Sequence, residues 1–271
     1  AMELADSTRG EANDFLDWLH GETPPHRWAM AHGATPNGWI GRPSHLPEEQ
    51  THTFWCVSRA IEFLEKRDPS APFFLNLSFI DPHPPFTPPT WLFNRYNEMD
   101  LPEPDIGAWV DPVDAPTRGI DIEMVESRSR DLELDPHVMH ACRAGYFGLI
   151  NHVDMQMGRL LQYLRDRREE GERLIDTTLI VFASDHGEML GDHRRFHKSW
   201  PYEASVRVPL LVRSPSALGS PREVEVDAPV GLQDLMPTIL DAVGLPVPEA
   251  VTGKSLLPFI RGETPTWRDV L

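Results

Sequence analysis

The fold is decided by the stretch Thr178-Leu179-Ile180-Val181-Phe182-Ala183-Ser184-Asp185-His186-Gly187-Glu188-Met189-Leu190-Gly191-Asp192-His193, which runs on to Lys198. It begins as a β-branched and aromatic run, the pattern of a strand buried on both faces, and ends abruptly in aspartate, histidine and glycine. In an open α/β sheet, ligands bind beyond the carboxyl ends of the strands. The sequence therefore predicts that the chemistry lies where this strand stops.

Asp185 and His186 are candidate metal ligands at this point. Neighbours in a regular strand point to opposite faces, but both can reach one ion if the strand ends and the backbone turns. Gly187 permits such a turn. A carboxylate oxygen beside an imidazole nitrogen is a plausible half of a divalent-metal site. Taken alone, the dipeptide is more often a loop-capping aspartate beside an ordinary polar histidine.

The longer pattern around these residues resembles the sulfatase family. It comprises Ser184 to His193, Lys198, Pro201-Tyr202-Glu203 and Arg207-Val208-Pro209-Leu210. In sulfatases, and in the related phosphonate monoester hydrolases of the alkaline phosphatase superfamily, the Asp and the following Asn or His ligate the metal, and a Lys like Lys198 contacts the sulfate or phosphonate oxygens. The resemblance implies that Asp185 and His186 bind the metal and that Lys198 has a catalytic, substrate-binding role. It implies calcium, with magnesium, manganese or zinc as alternatives.

A second apolar run, residues 73–80, ends in Asp81-Pro82-His83-Pro84-Pro85. The prolines on both sides of His83 restrict its backbone and hold the imidazole in a defined place. From the residues alone, His83 is as readily a surface loop histidine as a site residue. The segment is similar to the Pro-His-x-Pro segment of sulfatases, whose histidine contacts the sulfate. The resemblance therefore implies a catalytic and substrate-binding role for His83.

The sulfatase nucleophile motif is missing from this sequence. In the family, the Cys or Ser of C-x-P-x-R is oxidised to formylglycine, whereas Cys56 lacks the proline and has Arg59 at plus three instead of plus four. Cys56 also falls in a segment of helical spacing, which indicates a buried thiol on an amphipathic helix. Neither cysteine belongs to a C-x-x-C pair, and this spacing disfavours both a disulfide framework and a thiolate zinc site.

Composition limits the partners of the chain. With 271 residues, of which 40% are hydrophobic, it can bury a sizeable core. The net charge of −17 disfavours a nucleic-acid or anionic-membrane partner, because binding phosphates needs a basic surface. The apolar runs are too short to span a bilayer, and no signal-peptide pattern opens the chain. Ala1 before Met2 is typical of a cloning remnant, so the localisation is unknown.

We predict an α/β fold, an alkaline-phosphatase-like sandwich with a mainly parallel sheet flanked by helices, present incompletely. Residues 1–45 are expected to be an irregular N-terminal segment, apart from a short helical pattern near Trp18. Residues 46–271 are expected to form a partial sulfatase-type α/β domain with a Pro-rich insertion at about 87–136. Strands are predicted at 73–79, 178–184 and 208–212, and helices at about 47–67, 146–171 and 234–244.

Three functional hypotheses remain open. The first is a metal-dependent sulfuric ester hydrolase acting on a small sulfate ester, present here without its nucleophile and therefore inactive alone. The second is phosphonate monoester or phosphodiester hydrolysis, because His186 in place of Asn also occurs in those enzymes. The third is a non-catalytic remnant acting as a binding module. Apolar sheet edges left uncovered would also favour a homo-oligomer.

Overall fold

A computed structural model describes residues 13–22, 38–110, 134–221 and 223–270. These residues form two compact units. The first contains the described residues up to Tyr163 together with Gly187–Val206, and the second contains Leu164–His186 and the described residues from Arg207 onward. The chain passes between the units at three points, one of which lies inside the stretch quoted above, between His186 and Gly187.

The described residues combine helices with very short strands. In chain order the elements are α1 (Asp14–Glu22), α2 (His52–Lys66), α3 (Thr90–Asn97), α4 (Pro136–Asp166), β1 (Arg168–Glu169), β2 (Glu172–Arg173), α5 (Leu174–Thr177), β3 (Ile180–Ala183), α6 (Glu203–Val206), β4 (Leu210–Arg213), α7 (Leu235–Ala242) and α8 (Leu257–Ile260). Single 3₁₀ turns lie at Glu48–Gln50, Asp192–Arg194, Ser216–Leu218 and Leu232–Asp234.

The core of the first unit is built around α4. Its main cluster of buried side chains consists of Trp39, Phe86, Leu134, Met139, Cys142, Leu149, Leu190 and Phe196. The chain near residue 41 passes so close to α4 that a Cβ on Gly41 would lie 1.8 Å from the Ala141 carbonyl oxygen. A Cβ on Gly145 would lie 2.5 Å from the Phe86 carbonyl oxygen. Glycine at both positions is therefore a packing requirement, because a real Cβ cannot approach backbone so closely.

Next to α4, the segments around Gly41 and Phe86 are joined by backbone hydrogen bonds. The Arg42 amide donates to the Phe86 carbonyl at 3.1 Å, and the Phe86 amide donates to the Ile40 carbonyl at 2.9 Å. These bonds form an isolated parallel bridge between Gly41 and Phe86. The Cys142 thiol donates to the Trp39 carbonyl at 2.6 Å. The residues just after the His83 loop are thus fixed directly against α4.

The helix predicted at about 47–67 is present as α2. Thr51 is its N-cap, and its hydroxyl accepts a hydrogen bond from the Phe54 amide at 3.4 Å. The helix ends before Asp68, as the Asp-Pro sequence predicts. The short helical pattern near Trp18 is likewise present as α1, where Phe15, Leu16 and Leu19 are buried.

The strand predicted at 73–79 is absent from the strands of the described chain. Exposure alternates along this segment, with odd-numbered residues half-buried and even-numbered ones exposed, so its side chains keep the two-residue period of extended backbone. Phe74 is 75% exposed. A strand also needs a hydrogen-bonded partner, and no such partner pairs with these residues in the described ranges. The sequence identified the local conformation but could not supply the pairing.

In the second unit, β3 and β4 confirm the strands predicted at 178–184 and 208–212, but they run antiparallel. Their register pairs Ile180 with Arg213 and Ala183 with Leu210. The predicted burial on both faces is wrong: β3 is half-buried, and Leu211 of β4 is 64% exposed. Strand side chains point to the two faces of the sheet, so the exposure of Leu211 shows that the described residues leave one face uncovered. Parallel pairing in the described residues is limited to the bridge in the first unit.

The helix predicted at 234–244 is present as α7, with Gly244 at φ +71° just after its end. Asp234 occupies the N-cap position of α7, but its buried side chain does not cap the helix because it binds other groups. That carboxylate accepts hydrogen bonds from the Gly231 amide at 2.9 Å, from the Lys254 amide at 2.8 Å and from the Arg268 guanidinium. Asp234 therefore joins three separate segments of the second unit.

Some predictions fall on residues 1–12, 23–37 and 111–133, which lie outside the described residues. They include most of the irregular N-terminal segment and the second half of the Pro-rich insertion. The described part of that insertion contains α3. The domain limits at residue 45 and at about 87–136 stay predictions. None of the helices in the described ranges combines the length and apolarity that a membrane crossing requires.

Two glycines of α4 provide a matched test of the packing. We expect Gly145→Ala to destabilise the protein by about 3 kcal/mol, because the new Cβ overlaps Phe86. A Cβ on Gly158 would meet no atom within 4 Å, so Gly158→Ala should stabilise the helix by up to about 1 kcal/mol. Urea denaturation measures both changes. Equal stability of the two variants would contradict the close approach.

Candidate substrate and metal site

The segment from Glu188 to Ser199, which we name the site loop, folds back on itself. The Met189 amide donates to the His197 carbonyl at 2.9 Å, and the Gly191 amide donates to the Arg195 carbonyl at 2.8 Å. One carboxylate oxygen of Glu188 accepts from the Leu190 amide at 3.1 Å and from the His197 amide. Glu188 thus fixes the backbone immediately before Lys198.

The site loop carries a strained backbone. Five residues other than glycine have positive φ angles, namely Leu190 (45°), His193 (52°), Arg194 (60°), His197 (68°) and Ser199 (77°). Each such conformation costs on the order of 1 kcal/mol or more and persists only where surrounding contacts enforce it. Strain of this kind concentrates at functional sites, which marks the loop as a candidate.

Contacts with the core of the first unit enforce this conformation. The Arg143 guanidinium of α4 donates to the Leu190 carbonyl at 3.0 Å. Met189 and Leu190 are buried, and the ring of Phe196 stacks on Trp39 with centroids 5.0 Å apart. The loop is therefore anchored at its start and at its end, and Lys198 lies just after the second anchor.

His83 and Lys198 lie in contact although 115 positions separate them. The Lys198 Nζ atom is 2.9 Å from the His83 Nε2 atom, and the His83 Nδ1 atom is 2.9 Å from the Pro84 carbonyl oxygen. A carbonyl oxygen can only accept, so Nδ1 carries the proton and Nε2 accepts from the lysine ammonium. An ammonium has three donors, and this bond engages one of them.

His197, next to Lys198, has a lowered pKa. Burial is the main cause, and the neighbouring Lys198 ammonium and His83 ring lower the pKa further, to about 4. His197 is therefore neutral near pH 7. The charge at the contact between His83 and Lys198 is therefore the Lys198 ammonium.

Asp185 and His186 lie together at the end of the second unit's β3. The Asp185 Oδ2 atom is 3.6 Å from the His186 Nε2 atom, and the Asp185 side chain is 85% exposed. The His186 amide donates to Asp185 Oδ1 at 2.9 Å, and the Ser184 hydroxyl donates to the His186 carbonyl at 2.7 Å. Two short hydrogen bonds therefore hold the turn that presents both side chains.

Gly187 is needed after this turn for a reason other than the one predicted. Its φ is not positive, so it does not supply a left-handed residue. Its amide donates to the Ser205 carbonyl at 2.9 Å, and a Cβ would lie 2.1 Å from the Ala204 carbonyl oxygen. Glycine is required here because α6 lies against the backbone.

The Asp185 and His186 pair fits part of a metal shell. Ligands at about 2.0 to 2.4 Å from one cation and at about 100° to each other are separated by roughly 3.1 to 3.7 Å, which includes the observed 3.6 Å. Calcium needs six or more ligands. Among the described residues, no group of three or more His, Cys, Asp or Glu side chains is arranged to hold a metal. The pair therefore supplies two positions and leaves the shell incomplete.

The two pairs belong to different units of the chain. The structure brings His83 to Lys198 within the first unit and Asp185 to His186 within the second. The individual roles that the resemblance assigns to these four residues stay predictions.

The Cys56 thiol in the first unit lacks the properties of a nucleophile. The Cys56 Sγ atom is 3.5 Å from the His52 Nε2 atom, and Thr53 donates to the Asp81 carboxylate nearby. Burial, together with the charge of Asp81, raises the pKa of Cys56 to about 11. Burial lowers the pKa of His52 to about 4. Such a thiol stays protonated and is a weak nucleophile, which agrees with the structural role predicted for Cys56.

Glu188 and Arg143 are residues that sequence reasoning did not assign. Glu188 stands inside the quoted stretch, but its role depends on two backbone amides that spacing does not identify. Arg143 carried a weak signal, a charged residue between Cys142 and Ala144 on a helix that packs against the core. Its side chain is 11% exposed. An almost buried arginine in this position needs a partner, and Leu190 provides it.

The similarity to known proteins extends over most of the chain. The model of the family described as Sulfatase matches residues 13–245. An arylsulfatase of Clostridium perfringens is 37% identical over 262 residues, which cover 96% of this chain and 52% of the relative. The multifunctional alkaline phosphatase superfamily protein PehA of Trinickia caryophylli is 35% identical, with 86% and 46% covered. The chain thus spans about half the length of these curated relatives.

Solved structures are similar over the same extent. The phosphonate monoester hydrolase of Agrobacterium radiobacter superposes with a TM-score of 0.73 at 29% identity, covering 95% of this chain and 52% of that one. The structure of BT4656 with its substrate D-glucosamine-2-N,6-O-disulfate has a TM-score of 0.58 at 25% identity, covering 80% and 54%. The predicted α/β class and the alkaline-phosphatase-like fold are confirmed by these likenesses, and the chain is a partial domain relative to them.

We expect Glu188→Ala to lower the affinity for inorganic sulfate about tenfold, because two amides lose their shared acceptor and the backbone before Lys198 relaxes. Glu188→Gln keeps an oxygen in the same place and should restore affinity to within about threefold. Isothermal titration of both variants provides the measurement. An unchanged affinity in the alanine variant would remove Glu188 as a positioning residue.

Proposed function

Because the chain belongs to the sulfatase family, we propose that it carries part of the active site of a metal-dependent sulfuric ester hydrolase. The observation that supports the proposal best is the 2.9 Å contact between Lys198 and His83, two residues that reach each other from distant segments. A cation held by a neutral imidazole in a strained, well-anchored loop suits the binding of a small anion.

In this proposal, Lys198 binds a non-bridging oxygen of the sulfate group. Its remaining N–H donors form charge-assisted hydrogen bonds with the anion, which stabilise negative charge as the S–O bond breaks. His83 orients the ammonium through Nε2, while the Pro84 carbonyl keeps the imidazole in that tautomer.

The sulfatase family implies a divalent metal and a formylglycine nucleophile. We assign Asp185 and His186 as two of the metal ligands, and calcium as the expected ion, with magnesium, manganese and zinc as alternatives. A bound cation would supply charge neutralisation at the sulfate oxygens. The C-x-P-x-R motif is not found in this sequence, so the nucleophile is not assigned to any residue of the chain.

The proposed substrate is a small sulfate ester. The curated relative from Clostridium perfringens is named an arylsulfatase, and BT4656 was solved with a sulfated glucosamine as its substrate. The net charge of −17 disfavours nucleic acid as a partner. Self-association is a further expectation, because β3 and β4 each have one edge without a strand partner among the described residues.

Phosphonate monoester hydrolysis is the second candidate function. It is favoured by His186, which replaces the asparagine of many sulfatases, and by the likeness to the phosphonate monoester hydrolase of Agrobacterium radiobacter. Sulfate monoesters and phosphonate monoesters each carry one negative charge, so Lys198 suits both. Competition between phenyl sulfate and a phenyl ester of methylphosphonic acid would separate the two preferences.

We expect Lys198→Ala to weaken the binding of inorganic sulfate and of phenyl sulfate at least tenfold, because a charge-assisted hydrogen bond contributes about 1.5 to 3 kcal/mol. The matched control is Lys66→Ala, since Lys66 is exposed at the end of α2 and pairs with Glu62. Titration calorimetry at constant ionic strength measures both. Equal losses in the two variants would indicate a general charge effect and would remove Lys198 from the site.

We also expect this polypeptide to hydrolyse 4-nitrophenyl sulfate no faster than buffer, with or without calcium, magnesium or manganese. Metal and cationic groups can stabilise charge, but they do not provide the covalent nucleophile. Release of nitrophenol measured by absorbance tests the expectation. Turnover that requires added metal and disappears in Asp185→Ala and His186→Ala would show that the pair holds a working metal site without that nucleophile.

A further inference from the structure

Trp109, His193 and Tyr202 form a cluster of rings in the first unit, which we name the aromatic ledge. The ring centroids of Trp109 and Tyr202 are 5.6 Å apart at an interplanar angle of 21°, so the two rings are stacked. The His193 ring lies 5.0 Å from Trp109 and 4.9 Å from Tyr202. Each ring is therefore supported by the other two.

The ledge is fixed by three hydrogen bonds that main-chain amides donate. The His193 amide donates to the Asp105 carbonyl at 2.7 Å, and the Asp105 amide donates to the Asp192 carboxylate at 3.1 Å. The Gly107 amide donates to His193 Nδ1 at 3.0 Å, which requires Nδ1 to be the unprotonated nitrogen. Two segments far apart in sequence are thus joined directly beside the three rings.

Gly107 shows how closely Trp109 is held. A Cβ on Gly107 would lie 2.4 Å from Trp109 Nε1, so the indole lies directly against the backbone of its own loop. Trp109 nevertheless remains 58% exposed. A large aromatic side chain that is positioned by several contacts and still open to solvent is suited to bind another ring, because stacking recovers the apolar burial it lacks.

The ledge is connected to Lys198 along the chain. His193 precedes Lys198 by five residues and Tyr202 follows it by four, so the same segment carries the cation and two of the three rings. His193 is also one of the residues with a positive φ in the site loop. The backbone conformation that places Lys198 therefore also places His193 in the ledge.

We propose that the exposed face of Trp109 binds the ring of the substrate's organic group while Lys198 binds its sulfate, so that the ledge selects ring-bearing esters. This inference rests on the proposed function, because it takes Lys198 as the anion-binding residue. The shared chemistry is a flat ring face, which an aromatic ring presents fully and a pyranose presents through its axial C–H groups.

Ligand pairs that differ only in the ring test this inference. Dissociation constants for phenyl sulfate, glucose 6-sulfate, methyl sulfate and phenol are measured by ligand-observed NMR titration on the full chain. The variants are Trp109→Ala, Trp109→Phe, Lys198→Ala and the control Trp91→Ala, whose tryptophan is also exposed and belongs to the same unit. Circular dichroism and thermal unfolding establish that each variant is folded.

We expect Trp109→Ala to raise the dissociation constant for phenyl sulfate or glucose 6-sulfate about fivefold and to leave methyl sulfate unchanged. Trp109→Phe should stay within about twofold of the parent, and Trp91→Ala should have no effect. Lys198→Ala should weaken all three sulfates alike. The ligand that responds to Trp109 identifies the ring as aromatic or as a sugar.

Two results would overturn the ledge as a ring site. One is that both ring-bearing sulfates are insensitive to Trp109→Ala, and the other is that methyl sulfate weakens by the same factor as they do. Phenol, which has a ring and no anion, separates this failure from failure of the proposed function. Phenol binding that requires Trp109, with no sulfate bound, would support the ledge and reject the anion site.

Discussion

The close approach of α4 to the chain at Gly41 and Phe86 is the constraint on which the first unit depends. Gly145 lies against the carbonyl of Phe86, and Phe86 follows His83 by three residues. Two residues earlier on the same helix, Arg143 binds the Leu190 carbonyl of the site loop. One helix therefore fixes both segments that meet at the contact between His83 and Lys198. A shift of α4 by the width of a methyl group would therefore disturb both ends of that contact.

Local structure followed from the sequence wherever it depended on neighbours along the chain. The apolar spacing predicted α2 and most of α4, and the β-branched run predicted β3 within two residues of its observed start. Pairing between distant segments did not follow. The extended segment at 73–79 has the side-chain alternation of a strand but no hydrogen-bonded partner in the described chain, and β3 pairs with β4 in the antiparallel direction. Periodicity reports the conformation of one segment and carries no information about its partner.

The sequence likewise identified some residues of the candidate site and missed others. His83 and Lys198 were identified through a family resemblance, because residues 115 positions apart show no common pattern in a single sequence. Asp185 and His186 could be recognised from the sequence as candidate metal ligands at the end of a predicted strand. Glu188 and Arg143 were missed because each acts on backbone groups, and any segment of chain offers the same amides and carbonyls. Side-chain spacing therefore finds groups that meet ligands more readily than groups that position them.

The strain in the site loop gives these positioning contacts their significance. Five left-handed residues other than glycine would relax if the loop were free, and the burial of Met189, Leu190 and Phe196 opposes that relaxation. Apolar burial keeps the site loop packed against the core but does not set the orientation of its backbone. The hydrogen bonds that Arg143 donates and Glu188 accepts do set that orientation. The loop is thus held in place by apolar burial and oriented by hydrogen bonds. An anion-binding lysine needs both, because a flexible ammonium in a protein of net charge −17 would otherwise pair with nearby carboxylates. Its partner is instead the neutral imidazole of His83, which leaves its positive charge available to a ligand.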